Sequence, residues 1–384
     1  MTGKQRFEAV MNHERPDKFP LYIPSVANAV ASEILGRECV VGTDSMRFHE
    51  ELSIFQGAAA HREFEERFIE DSVDLARALR VDVLRETWRG QGKASKQVDE
   101  HTLLFGDENG RYVVKRYFPE QDSYGVIASG GQPDADELAE DMRASMARPN
   151  VLPAREDSLG RVRGARRLFD RLKADELGEI VAAGSFGIPM GDQALLELCV
   201  TEPELLREWV WRGSECEVAH MQNLADEGYR WFNGGLDMAS NTGTVYSPNA
   251  FRAIVLEPLR LFASACAARG TIFCYRTDGN IWQVFDDMFV DAGIQAYGEV
   301  DRDAGMTVEK IREVNDNLIL LGNTSSAFLL TAAPEQVRED TRRQLAAAKG
   351  TNFIPGTSNA IVKGTPAANV FAMIEEIERY GSPR

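Results

Sequence analysis

The residues of this chain best suited to chemistry cluster near positions 237, 276–278, 299, 323 and 359. Cys274, Arg276 and Asp278 are spaced two apart, so on a strand they share one face. An arginine and a carboxylate at that spacing can hold a substrate or a metal, or can simply pair with each other. Glu299 closes an apolar run, and a carboxylate there can protonate a leaving alkoxide or amine, or serve as a hard metal ligand. Asp301 and Asp303 read instead as a solvated acidic loop. Asp237 follows Gly234 and Gly235, whose missing side chains let backbone come close. Asn323 and Asn359 offer neutral hydrogen bonds at neighbouring strand ends, or cap turns and helices. The aromatics Trp88, Tyr275, Trp282 and Tyr297 also lie near strand ends. They can form an apolar wall, a cage for a quaternary ammonium, or ordinary core.

Several classes are excluded. The formal net charge is −17, so nucleic acid and anionic membrane surfaces would be repelled. None of the five histidines falls at a strand end, as a barrel-type zinc hydrolase would need. There are five cysteines, an odd number with no CxxC pair, which fits free thiols in a reducing cytoplasm. The first ten residues lack a signal-peptide core, and no apolar run approaches the ~20 residues of a membrane span. A cytoplasmic location is expected.

Short apolar runs alternating with amphipathic stretches must position these residues, which is the pattern of a parallel α/β sheet. Strands are expected near 21, 82, 183, 231, 273, 297, 319 and 353. Continuous helices are expected from Ser247 to Ala268 and from Trp282 to Asp291. Eight strands with intervening helices predict a (β/α)8 TIM barrel, formed as one domain over 1–384. Leu103–Phe118 contains Asp107-Glu108-Asn109-Gly110 and predicts an inserted β-hairpin after strand two. The stretch 121–157 predicts a loop and helix, lid-like over the mouth, so the insertion covers about 100–157.

Three segments resemble one family. They are Arg6-Phe7-Glu8-Ala9-Val10-Met11-Asn12 with Arg15-Pro16-Asp17-Lys18-Phe19-Pro20, then Thr277-Asp278-Gly279-Asn280 with Asp291-Ala292-Gly293-Ile294, and Pro366 with Asn369, Ala372, Met373 and Ile374. They are similar, in order, to segments of the uroporphyrinogen decarboxylase-like superfamily. The resemblance implies a barrel with its site at the C-terminal mouth, and either a carboxy-lyase or a methyltransferase. The decarboxylases carry arginines after the first strand; here that stretch is Ile23-Pro24-Ser25-Val26-Ala27-Asn28-Ala29-Val30, with none. The chain therefore resembles the corrinoid-dependent methyltransferase branch more closely. That branch implies zinc held by a His-x-Cys-Gly motif and a later Cys. The corresponding positions here are Arg276, Asp278, and Thr357 or Ser358, all departures from the pattern.

On this resemblance Glu299, Asp237 and Asp278 are the catalytic candidates, and Asp278 and Glu299 the candidate ligands for zinc or another metal. Arg276, Asn323, Asn359, Trp88, Tyr275 and Tyr297 would bind substrate. The implied activity demethylates a methoxy-aromatic or methylammonium substrate and passes the methyl group to a corrinoid protein. A tetrapyrrole carboxy-lyase and a non-catalytic binding barrel are the alternatives, and a homodimer is left open.

Overall fold

The computed structural model describes residues 1–85, 87, 89–90, 92–172 and 176–381. Its centre is a parallel sheet of seven strands in chain order: Val83–Arg85, Gly178–Ala182, Trp231–Gly234, Ile272–Arg276, Ala296–Gly298, Ile319–Leu321 and Phe353–Ile354. Seven of the eight expected strands form. The eighth, expected near 21, shrinks to Tyr22, which makes parallel bridges to both Val83 and Gly356. The reason lies in the sequence. Pro20 and Pro24 flank Leu21-Tyr22-Ile23 and have no N–H to give a ladder. Tyr22 N–H donates to the Pro355 carbonyl at 3.1 Å, and Val83 N–H donates to the Leu21 carbonyl at 3.1 Å. The sheet therefore curls until its first and last strands meet on one residue. Gly356 permits that closure, because a Cβ there would lie 1.6 Å from the Tyr22 carbonyl oxygen.

Alternation sorts the core into two layers. Tyr22, Val83, Ile180, Trp231, Cys274, Ala296, Ile319, Leu321 and Ile354 fill the inside, with Phe7 and Val10 of the first helix (Gly3–Met11) packed against them. Phe273, Tyr275, Tyr297, Leu320 and Phe353 face outward into the layer beneath the helices.

Three expected elements differ. The helix expected from Ser247 to Ala268 is two helices, Pro248–Ile254 and Leu256–Ala268. Pro258 lacks the N–H that would bond to the Ile254 carbonyl, so the ladder breaks between them. The expected helix through Asp291 ends as a π-helical turn, Asp287–Asp291. The expected hairpin is present as Thr102–Gly106 with Tyr112–Phe118, but it is the centre of a four-stranded antiparallel sheet with Lys96–Asp99 and Ser123–Gly130. The helix Ala135–Met146 follows it.

The added sheet docks on the helix Thr43–Gln56. Asp122 Oδ1 accepts the Ser45 N–H at 2.8 Å, supplying the N-terminal cap that Gly42 cannot. Lys115 Nζ and the Tyr124 hydroxyl donate to the buried carboxylate of Glu51, at 3.0 and 2.6 Å. Lys363 Nζ donates to the Pro119 and Glu120 carbonyls at 2.8 and 3.3 Å, tying the insertion to the loop that follows Asn359. Among the described residues, no helix is long and apolar enough to cross a membrane.

Candidate functional site

Five of the expected residues converge at the C-terminal ends of adjacent strands. Arg276 is the last residue of Ile272–Arg276 and, by alternation with Cys274, points inside the ring. Gly298 on the next strand makes room for it: a Cβ there would lie 2.9 Å from Arg276 Cγ and 3.3 Å from Cys274 Sγ. Glu299 follows Gly298 in a left-handed conformation (φ 59°), an uncommon state for a residue with a side chain. That turn aims its carboxylate at the Arg276 guanidinium, and the two form an ion pair with side chains only 7 and 13% exposed.

Asp278 lies two residues beyond Arg276. Its backbone N–H donates to Asp237 Oδ1 at 3.1 Å, and its carboxylate Oδ2 accepts the Asn359 amide at 2.8 Å. Asp237, Asp278 and Glu299 thus each present a carboxylate oxygen within 4.8 Å of the others. Like charges so close raise proton affinity. Burial, followed by the negative charges of Asp237 and Asp301, pushes Asp278 up to about 6, against the opposing pull of the Asn359 hydrogen bond and of Arg276. Burial, and then the neighbouring charge of Arg85, brings Arg276 down to about 10. Burial also holds the Cys274 thiol well above the ordinary range, so it is no thiolate at neutral pH.

The remaining expected residues lie elsewhere. Asn323 is buried, and its amide donates to the Val300 and Met306 carbonyls at 2.6 and 3.1 Å. It fastens the loop after Glu299 rather than facing substrate. Tyr275 and Tyr297 are fully buried on the outward face, where the first packs on Phe273 and the second on Phe289. Neither lines the mouth, because their odd positions fall on the opposite side of their strands from Cys274 and Ala296. Trp88 lies outside the described residues.

Two residues of importance were not foreseen. Arg85 ends the first strand and shares the inward face of Val83, one position beyond where the apolar run stops. Strand alternation continued by one residue would have found it. Asp301, expected as a solvated loop residue, accepts the backbone N–H groups of Gly279 at 3.0 Å and Asp303 at 3.0 Å, so it fixes two site loops together.

The donor set at the cluster is all carboxylate oxygen. It suits a hard divalent cation such as magnesium or manganese. It does not suit a thiol-activating zinc, which needs sulfur or imidazole. The positions that would carry those ligands hold Arg276, Asp278, Thr357 and Ser358.

The family model described as uroporphyrinogen decarboxylase (URO-D) matches residues 190–380, which include Asp237, Arg276, Asp278, Glu299 and Asn359. Uroporphyrinogen decarboxylase of Rickettsia massiliae is 36% identical over 78 residues, 20% of this chain, and that of Rickettsia africae is 35% identical over the same length. The match spans only 22% of the length of those relatives. A solved structure, a methyltransferase from Methanosarcina mazei, superposes over 99% of both chains with a TM-score of 0.65 and 16% identity, a likeness of fold. The chain thus carries a uroporphyrinogen decarboxylase (URO-D) family domain over residues 190–380, just under half of its length.

Proposed function

We propose that the chain is a methyltransferase component that removes a methyl group from a small methoxy or methylammonium substrate for delivery to a corrinoid protein. The observation that carries this reading is Asp278. It is a carboxyl at a strand end, oriented by Asn359 and raised to about 6, beside two further carboxylates. A group so placed can hold a proton near neutral pH and give it to a departing oxygen. The likeness in fold to a protein named a methyltransferase supports the same reading.

A corrinoid on a partner protein would supply the nucleophile that accepts the methyl group. This chain binds and orients the donor. In a methoxy substrate, the O–CH3 bond breaks as methyl leaves, the electron pair stays on oxygen, and the Asp278 proton moves to that oxygen. Asp237 and Glu299 offset positive charge at the methylated centre, and Arg276 fixes Glu299. Asp237, Asp278 and Glu299 are also the residues that would hold a hard divalent ion, and no step here depends on one. The added sheet, fastened through Lys363, serves as the wall or lid of the mouth.

The test is methyl transfer to cob(I)alamin, followed by the absorbance of methylcobalamin, with methoxy-aromatic and methylammonium donors. Turnover by the wild type, lost in Asp278→Asn, supports the reading. Uroporphyrinogen decarboxylation in place of methyl transfer would transfer the assignment to the carboxy-lyase branch. No turnover of either kind would leave a binding barrel.

A further inference from the structure

A cleft of about 610 Å³ lies where the chain leaves the strand Gly178–Ala182, between the loop 184–187, the segment 148–151 and the helix Pro203–Asp226. That volume is in the range of small-molecule sites. None of Asp237, Arg276, Asp278, Glu299 and Asn359 lines it. Its walls are fixed from both sides. Phe186 takes a left-handed conformation (φ 50°) and is buried against Phe262 and Phe273, with ring centroids 4.5 and 5.2 Å away. Gly184 lies so close to the helix that a Cβ there would come 2.6 Å from Glu217 Cγ. Across the cleft, Asn150 Nδ2 donates to the Arg212 carbonyl at 3.1 Å and to Glu215 Oε2 at 2.8 Å. A ligand entering here would find the site already formed.

The side chains say what kind of ligand. Three arginines line the cleft, Arg148, Arg161 and Arg212, with a single carboxylate, Glu217. Arg161 grips that carboxylate through two bonds of 2.8 and 2.7 Å. Other arginines nearby are neutralised in the same way, Arg143 by Glu202 and Arg155 by Glu227. Among the described residues, no ion pair engages Arg148 or Arg212. Arg212 Nη2 donates to the Arg148 carbonyl at 2.6 Å, which holds the guanidinium at the cleft with further N–H groups to spare. Three cations less one anion leave two positive charges in this one place, on a chain whose net charge is −17. Trp209, 39% exposed, lines the same cleft and offers an aromatic surface.

We propose that this cleft binds a nucleoside monophosphate, its phosphate held by Arg148 and Arg212 and its base stacked on Trp209. The planar guanidinium fork matches phosphate oxygens, and an aromatic ring stacks on any base. A phosphate monoester carries about −1.5 to −2 at pH 7, which balances the two positive charges, whereas a carboxylate would balance only one. The site makes no use of the carboxylate cluster, so it stands or falls apart from the methyl-transfer reading.

The test is calorimetric titration of the full chain with AMP and UMP, against adenosine, ribose 5-phosphate and benzoate. Adenosine lacks the phosphate, ribose 5-phosphate lacks the base, and benzoate is an aromatic anion of single charge. AMP or UMP should bind, with adenosine and ribose 5-phosphate each weaker by about tenfold or more. Arg148→Gln and Arg212→Gln should each weaken the nucleotide by about tenfold, and Trp209→Leu by about fivefold or more. All three side chains are at least partly exposed, and unchanged thermal unfolding curves show that each variant is folded. No binding of either nucleotide, adenosine or ribose 5-phosphate bound as tightly as the nucleotide, or an affinity untouched by the arginine substitutions or by Trp209→Leu would overturn the proposal. Benzoate bound as tightly as the nucleotide would also overturn it, and would reassign the cleft to aromatic carboxylates.

Discussion

Asp278→Asn should make the protein more stable at alkaline pH and strongly reduce its activity. The carboxyl is raised from 3.8 to about 6 by burial and by Asp237 and Asp301, so its charged form is disfavoured in the folded chain. Each tenfold change in proton affinity is worth about 1.4 kcal/mol, which sets an upper limit of roughly 3 kcal/mol on the penalty at pH 8. Residual solvent contact of this half-buried group trims it to roughly 1–2 kcal/mol. Because the folded value lies above the unfolded one, the favourable proton contribution is complete below about pH 4 and is lost as pH rises through about 6. Asparagine can still accept the Asn359 amide and leaves the backbone bond to Asp237 in place. For a chain of 384 residues, an unfolding entropy near 2 cal/mol/K per residue turns the gain into about 1–3 °C. Thermal unfolding of both proteins followed by circular dichroism at pH 8 and pH 4 measures it. A variant less stable at pH 8, or a gain that persists undiminished at pH 4, would refute the reasoning. Loss of the proton donor should also cut methyl transfer by about a hundredfold or more.

Glu299→Gln removes the carboxylate that pairs with the buried Arg276 and should cost about 3–5 kcal/mol in denaturant unfolding, most of it recovered in the Arg276→Met/Glu299→Leu double variant. Gly356→Ala would drive a Cβ into the Tyr22 carbonyl and should lower the unfolding midpoint further than Ala substitution at Gly125, where nothing lies within 4 Å of the added Cβ. If Asp278 is the proton donor, methyl transfer should fall as pH rises through about 6. Asn359→Ala removes a bond to the charged form and should move that fall to higher pH in the pH–rate profile. Elemental analysis of chelator-free protein after incubation with manganese should find uptake in the wild type that is lost in Asp278→Ala and Glu299→Ala.

The site was legible where strand period decided it. Arg276, Asp278, Glu299, Asp237 and Asn359 each end a recognisable strand or begin the turn after it, and parallel order then brings those ends together. Tyr275 and Tyr297 show the limit of reading proximity to a strand end without asking which face. Each alternates with an inward residue and so belongs to the helix-facing core. Asn323 was ambiguous because an amide that clamps two carbonyls has the same sequence signature as one that binds substrate. The first strand was overestimated because its apolar character is that of a strand while its prolines forbid the ladder. The outer strands of the added sheet were missed because Lys96–Asp99 is wholly exposed and Ser123–Gly130 nearly so, leaving little apolar alternation to detect.

Closing the ring on Tyr22 alone has a kinetic consequence. Its two bridges join residues 61 and 334 positions apart, so the second is a very long-range contact that carries little ladder of its own. Until the segment around Gly356 has arrived, the side of Tyr22 away from Val83 and the outer side of Phe353–Ile354 stay open. Such an arc is a half-finished sheet with two sticky edges, the kind of intermediate that chaperones bind and that aggregates when it lingers. Refolding yield, more than equilibrium stability, is then the property that the Tyr22–Gly356 contact governs.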